Sequence, residues 1–344
     1  MKDERRCALK EPPLVTFALI AFNQREFIAE AVRAALAQDY SPIQLVLSDD
    51  CSTDDTFEIM SALVRDYRGP HEVVLNRNAV NLGSRGIGLH VNKIIELSRG
   101  LLIVLGAGDD VSLPDRVSVL TNRWVAAGAP DGSIHSAATS ISGSGASSGI
   151  FHGDAKFGQR SVSESVRIGC VGVLGATHAI TRSVFDRFGG LPEGTLFEDR
   201  TLAFRSLLMG TVLYCPEALV KYRQHDENLS GGQNYSDAAR WSRWIEGTVT
   251  KYETFLADYK IFLRGRAPDP KVLRAIRRGL ARAKRSRQLV VGSPFARAFS
   301  ALNYSKGFRM SDRVAFVLQS AGAGSSFIYR SMAVIWKASR RLFR

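Results

Sequence analysis

Long apolar runs are absent from this chain of 344 residues. No stretch reaches the roughly 20 consecutive apolar residues that a bilayer span needs. The N-terminal MKDERRCALKEPP is too charged for a secretory leader, and the apolar run 14–22 enters Asn-Gln-Arg-Glu without a small-residue cleavage site. Cysteine is scarce: Cys7, Cys51, Cys170 and Cys215 lie too far apart for a short-spaced zinc cluster and offer no disulfide framework, so a reducing cytosol is expected. A glycine fingerprint is missing too. Ala21-Phe22-Asn23-Gln24-Arg25 follows the first apolar run, where a nicotinamide dehydrogenase would carry its Gly-rich turn. Acidic residues, finally, are nearly absent from the C-terminal quarter. Residues 260–344 hold 20 Lys and Arg against 2 Asp and Glu, whereas residues 1–259 hold 26 against 31. An acidic front and a basic tail point to two jobs, with an anionic partner expected for the tail. Lipid headgroups, nucleic acid and acidic polysaccharide all satisfy that charge.

What is present is a strand–helix alternation over the first 130 residues. Strands are predicted at 14–21, 44–48, 72–75 and 101–105, with helices near 26–37, 54–67, 87–97 and 115–127. Such alternation implies a mostly parallel sheet covered on both faces. The Ser- and Gly-rich stretch 140–153 reads as a flexible loop, either a lid or a solvated connector. Beyond it come a short helix, a strand near 177–181, a helix near 198–209 and strand runs at 212–214 and 218–222. From Tyr235 onward the pattern is helical. Trp241, Trp244, Ile245, Thr248, Tyr252, Phe255, Tyr259 and Phe262 form one apolar stripe, and Arg-rich helical patterns follow at 271–290 and 325–342.

The most informative stretch is 101–110, Leu-Leu-Ile-Val-Leu-Gly-Ala-Gly-Asp-Asp. Asp109 and Asp110 repel each other at the end of a buried strand, and a hard divalent cation with oxygen ligands accounts for the pair. Ligands of open α/β sheets collect at those strand ends. The first strand closes in Ala21-Phe22-Asn23 and the second in Ser48-Asp49-Asp50-Cys51-Ser52-Thr53-Asp54, on the same sheet edge. Together they suit a nucleoside pocket, with Phe22 stacking on a base and Asp49 accepting from a base N–H. Helix capping accounts equally for Thr53 and Asp54, and Asp115 beside Pro114 suits a helix start. Asn81-Leu82-Gly83-Ser84-Arg85-Gly86 is a glycine-bearing loop before a helix. Glu198 and Asp199 open a helix some 90 residues after the first acidic pair, where dipole stabilisation is the plain alternative. His225 follows a strand, and a lone histidine is as readily structural as functional.

Taken in order, Ala-Phe-Asn (21–23), Ser-Asp-Asp-Cys-Ser-Thr-Asp-Asp-Thr (48–56), Asn-Leu-Gly (81–83), Gly-Asp-Asp-Val-Ser-Leu-Pro-Asp-Arg (108–116), Phe-Glu-Asp (197–199) and Arg-Gln-His-Asp-Glu-Asn-Leu-Ser (223–230) resemble the family 2 glycosyltransferases of the GT-A fold. The resemblance spans about residues 12–232. It implies an α/β fold with a mixed, mostly parallel sheet flanked by helices, followed by a basic helical extension at 233–344. It implies a metal-assisted, inverting transfer from a nucleotide-diphospho-sugar, UDP-sugar favoured, to a hydroxyl of a cell-surface glycan or lipid-linked acceptor. Ala21, Phe22, Asn23 and Asp49, with Arg85 added, match the nucleotide pocket. Asp109 matches the ligand of Mg²⁺ or Mn²⁺, with Asp110 supporting it and His225 reaching back to the metal or diphosphate. Asp199 matches the catalytic base, with Glu198 beside it. Ala107 stands where the family's acidic motif often begins, and Ala21 replaces a common hydroxyl residue.

The Arg-rich, Trp-bearing tail suits an anionic membrane surface, or alternatively packs on the catalytic core or drives oligomerisation. A peripheral position at the inner face of the cytoplasmic membrane is the expectation. The rival readings are a catalytically inactive scaffold of the same fold and an anionic-surface or nucleic-acid binder acting through the tail. Nucleic acid is disfavoured because it leaves the acidic site unexplained, and the sequence sets no oligomeric state.

Overall fold

The computed structural model describes residues 11–225 and 238–291. The described strands are β1 (Val15–Ala21), β2 (Ile43–Asp49), β3 (Glu72–Arg77), β4 (Leu102–Ala107), β5 (Val111–Ser112), β6 (Ser133–Ser142), β7 (Ser147–Phe151), β8 (His178–Thr181) and β9 (Val212–Gln224). They form one sheet in the order β3-β2-β1-β4-β8-β6-β9-β5, with β7 attached to β6. The helices are α1 (Ile28–Leu36), α2 (Thr56–Asp66), α3 (Ile87–Leu97), α4 (Arg116–Ala126), α5 (Val162–Arg167), α6 (Arg182–Phe188), α7 (Glu198–Met209), α8 (Ala238–Leu263) and α9 (Pro270–Val291). Strands β1 to β4 pair in parallel, while β8 joins β4 and β6 antiparallel and β6 runs parallel to β9. This is the expected mixed, mostly parallel sheet.

The parallel strands read as unbroken apolar runs because both of their faces are covered. Along β1, Val15, Phe17, Leu19 and Ala21 join one cluster with Ile28, Leu45, Leu47 and Trp124. Ala18, with Val46 and Ile103, joins the opposite cluster, which takes in Phe204 of α7, Phe255 and Tyr259 of α8 and Ile276 of α9. The apolar stripe expected after Tyr235 is therefore turned inward. Phe204 and Phe255 stack at 4.2 Å, and buried Arg205 pairs with Asp258 at 2.8 Å. The Arg-rich helix expected at 325–342 lies outside the described residues.

One expectation needs correcting. The stretch 140–153 is a hairpin in large part, since β6 runs to Ser142 and β7 pairs back on it. Its composition hides this: β6 is built largely from Ser, Ala and Thr, and β7 is exposed along its whole length. The runs 212–214 and 218–222 are likewise one strand. A register shift against Ser136 and Ala137 leaves Pro216 and Glu217 unpaired as a bulge, which is where a strand tolerates proline.

Candidate active site

Three parallel strands end at one level. Register places Ala21 beside Asp49 and Ile20 beside Ala107, so the turns that follow share the sheet edge where α/β folds bind ligands. On the β1 side Ala21 is buried and Phe22 is 40% exposed, its ring available to a planar partner. Asn23 sits at φ 51°, a left-handed position that Asn tolerates. Its side-chain oxygen accepts from Thr53 N–H at 2.9 Å, and its own N–H donates to Ser52 Oγ at 2.9 Å. Ser52 in turn donates from its hydroxyl and, at 3.0 Å, from its N–H to the carboxylate of Asp49. Asp49 is fully buried, with Arg77 Nε at 3.6 Å. It thus braces the Asn23 turn through Ser52.

Its neighbour Asp50, to which the sequence reading gave no role, anchors the glycine-bearing loop. Its carboxylate accepts from Asn78 at 2.7 Å, Leu82 N–H at 2.9 Å and Gly83 N–H at 2.7 Å. Beyond that loop Arg85 forks onto Glu193 at 2.8 and 2.5 Å. Arg85 therefore ties the loop after β3 to the segment that leads into α7.

The second group gathers at the end of β4. Gly108 lets the turn press against β1: a Cβ there would lie 2.4 Å from Gln24 Oε1 and 3.0 Å from the Ala21 Cβ. The short antiparallel pair β5·β9, with Val111 opposite Lys221, then returns the end of β9 to the acidic doublet. Arg223 N–H donates to Asp110 at 2.8 Å, and His225 Nε2 lies 3.0 Å from Asp109 Oδ2. The three residues expected at a metal are thus adjacent, although His225 follows Asp109 by 116 positions. Arg223 is the missed organiser. Its guanidinium donates to the Asp109 carbonyl at 2.9 Å and the Gly143 carbonyl at 2.9 Å, and pairs with Glu30 at 2.6 Å. Buried Arg116 reaches the Leu105 and Ala176 carbonyls, both at 2.7 Å. Nothing in sequence spacing separates these two arginines from the many others.

Burial, then the charge of Asp109, pushes the Asp110 carboxyl well above its usual range, with Arg223 and Arg116 opposing. Such a pair is short of positive charge. The Asp109 carboxylate and the His225 imidazole, 3.0 Å apart, make a partial donor set that suits Mg²⁺ or Mn²⁺. Among the described residues no three His, Cys, Asp or Glu side chains close a protein-only cage. That is compatible with ions that take part of their shell from substrate phosphates and water.

The third group is Glu198 and Asp199, in the first turn of α7. Burial, then the Asp199 charge, pushes Glu198 up to about 8. Burial raises Asp199 as well, against the charge of Arg200 and that residue's N–H, which donates to Asp199 Oδ1 at 2.7 Å. Two adjacent carboxyls of this kind divide into one that keeps a proton and one able to accept.

A sheet of this topology, with acidic groups at the ends of its parallel strands, defines the GT-A class of glycosyltransferases. The chain belongs to the family 2 glycosyltransferases: the family described as "Glycosyltransferase like family 2" matches residues 12–243. It is 35% identical to the succinoglycan biosynthesis protein ExoO of Rhizobium meliloti over 122 residues, 36% of this chain and 33% of ExoO. The match thus spans about a third of that relative's length. Among solved structures, Staphylococcus aureus TarS 1–349 in complex with UDP-GlcNAc superposes with a TM-score of 0.54 at 14% identity, covering 86% of this chain and 93% of that one. The mannosyltransferase PcManGT of Pyrobaculum calidifontis, in complex with GDP-Man and Mn²⁺, gives 0.50 at 16% identity, covering 95% and 88%. No described helix is long and apolar enough to cross a membrane.

Proposed function

We propose that this glycosyltransferase is inverting and metal-assisted, moving a sugar from a nucleotide-diphospho-sugar, UDP-sugar favoured, to a hydroxyl of a cell-surface glycan or lipid-linked acceptor. One observation carries the reading: the Asp109–Asp110–His225 group at the end of β4 and the Glu198–Asp199 pair opening α7 are two separate clusters of carboxyls. Nucleotide sugars bound to TarS and PcManGT support the donor class, and the name of ExoO supports a polysaccharide acceptor.

Phe22 stacks on the base, Ala21 lines its edge, and Asn23 shapes the turn that Asp49 braces through Ser52. Arg85, forked onto Glu193, completes the nucleotide pocket. Asp109, Asp110 and His225 would hold the cation, which when bound would offset charge developing on the leaving diphosphate. Arg223 fixes the acidic turn against α1 and the β6–β7 hairpin. Asp199 takes the proton of the acceptor hydroxyl as it attacks the anomeric carbon, while Glu198 keeps its own. A single base with attack from the face opposite the leaving group inverts that carbon. The basic tail places the enzyme on an anionic surface.

Asp199→Asn is the direct test, read as release of UDP from UDP-glucose or UDP-GlcNAc with Mn²⁺ and as the donor-induced rise in melting temperature. The expected outcome is a loss of at least 10²-fold in turnover, the order of a general base's contribution, with the melting shift retained. Turnover retained would remove Asp199 from the base role, and loss of both signals would make it a structural residue.

A further inference from the structure

The two carboxyl clusters are joined by one element, the β6–β7 hairpin. At its tip a single guanidinium holds both sides: Arg223 donates to the Asp109 carbonyl and to the Gly143 carbonyl, each at 2.9 Å. At its other end Asp154 N–H donates to the Gly172 carbonyl at 2.8 Å. Three residues further, at most about 11 Å of chain, Gly175 packs against the second cluster. A Cβ there would lie 3.0 Å from Glu198 Oε1 and 3.7 Å from Asp199 Cβ. The hairpin therefore borders the ground between the acidic turn after β4 and the start of α7. An acceptor hydroxyl that gives its proton to Asp199 while attacking a donor held at Asp109 enters on that ground.

Register fixes which way β7 is turned. β9 lies along one edge of β6, so β8, opposite residues 133–135, and β7, opposite residues 138–141, share the other edge. β8 has β4 as its second neighbour. β7 has no second neighbour among the described strands, and its open edge is turned to the side where β4 ends and Asp109 follows. Such an edge presents backbone N–H and C=O groups to a ligand. Nothing along it is charged: residues 140–151 read Ser-Ile-Ser-Gly-Ser-Gly-Ala-Ser-Ser-Gly-Ile-Phe. All five residues of β7 are exposed, Ile150 by 59% and Phe151 by 46%. Strand alternation puts Ser147, Gly149 and Phe151 on one face, and a Cβ at Gly149 would meet nothing within 4 Å. An open, hydroxyl-bearing edge with an exposed ring offers stacking to the C–H face of a sugar and hydrogen bonds to its hydroxyls. It offers no counter-charge to a phosphate or a uronate.

We propose that β7 is an acceptor subsite for a neutral glycan: linked sugar rings lie along its open edge, one of them stacked on Phe151, and present a hydroxyl to Asp199. The proposal rests on Asp199 being the base and on Asp109 standing at the donor. At about 3.4 Å per residue β7 is roughly 17 Å long, room for more than one ring.

The experiment titrates the full chain, with UDP and Mn²⁺ present, and follows sugar binding by saturation-transfer NMR. Cellotetraose, laminaritetraose and maltotetraose are the neutral probes, and tetragalacturonate is the charged one. At least one neutral probe should bind, in preference to tetragalacturonate. Phe151→Ala should weaken that binding about tenfold, the scale of one lost ring contact, and Phe151→Tyr should restore it. Phe151→Leu, which keeps bulk without the ring, serves if the alanine variant does not fold. Donor hydrolysis without any probe should stay as in the native chain. The proposal is overturned if no neutral probe binds, if tetragalacturonate is preferred, or if Phe151→Ala binds as well as the native chain. Edge-to-edge pairing of two copies, seen as concentration-dependent sedimentation that Phe151→Ala abolishes, overturns it too. Failure of the base reading is separate, because it shows as turnover retained in Asp199→Asn with sugar binding untouched.

Discussion

His135 on β6 and His178 on β8 are paired across the strands and almost wholly buried, and among the described residues none of their ring nitrogens meets a hydrogen-bond partner. Burial pushes His135 down to about 4, and burial with the neighbouring charges pushes His178 down to about 3. Both are neutral in the fold at pH 7. An unfolded chain takes up protons below about 6.5, before the native state can, so stability falls as pH drops from 6.5 toward 3–4 and is flat in this respect below that. At about 1.4 kcal/mol per pH unit, His135 contributes up to roughly 3 and His178 up to roughly 5 kcal/mol to the decline. Urea titrations at pH 7 and 4.5 should show a smaller acid loss for His178→Leu than for the native chain; equal losses would mean that other groups set the acid limb. These histidines left no mark in the sequence, because burial, not spacing, makes them special. The same holds for Arg223, lost among 46 Lys and Arg. Asp109, Asp110, Glu198 and Asp199 were legible because adjacent like charges at element ends conflict with packing unless a ligand or proton resolves them.

Among the elements, the β1–β4 half was legible from apolar runs and helical periods. The β6–β7 hairpin was not, because small and polar residues can line a strand whose partners supply the bulk. Least visible was the clamp between the loop after β3 and the segment before α7. Arg85 O accepts from Gly194 N–H at 2.7 Å, and Gly88 N–H donates to Thr195 O at 3.1 Å. Gly86 lies between them at φ +122°, where a Cβ would fall 2.8 Å from Thr195 N and 2.9 Å from Thr195 O. Alanine there is both strained and crowded. Gly86→Ala should cost about 1–3 kcal/mol, seen as a melting temperature lower by several degrees. The clamp carries Arg85 on one side and leads to Asp199 on the other, so donor turnover should fall further than the loss of folded protein accounts for. A variant with normal melting and normal turnover would show that this approach is not needed.

At the scale of the whole molecule, the sequence divides near residue 233 by motif and near 260 by charge, whereas the packing crosses both lines. Of the stripe read at 241–262, Ile245, Tyr252, Phe255 and Tyr259 are buried on one helical face, but its partner could not be read, since periodicity gives the buried side of a helix and not what buries it. Arg205 of α7 and Asp258 of α8 are both almost fully buried and pair at 2.8 and 3.2 Å. Arg205 also donates to the Gly189 and Gly190 carbonyls at 2.6 and 3.2 Å. Burial pushes Asp258 up and Arg205 holds it back, so the carboxylate depends on its partner. Asp258→Ala strands the guanidinium without a counter-charge and should destabilise the fold by about 3–5 kcal/mol. The pair Arg205→Met with Asp258→Leu removes both charges and should recover part of that loss. Recovery stays incomplete because the two carbonyls lose their donor. Since α7 opens with Glu198 and Asp199, the single variant should also loosen the turn that carries the proposed base, with turnover falling at temperatures where the chain is still folded. Chemical denaturation of the single and double variants decides the matter. If Asp258→Ala cost less than 1 kcal/mol, α8 would be an appendage; a cost of several, partly regained in the double variant, makes it part of the wall behind α7 and the proposed base.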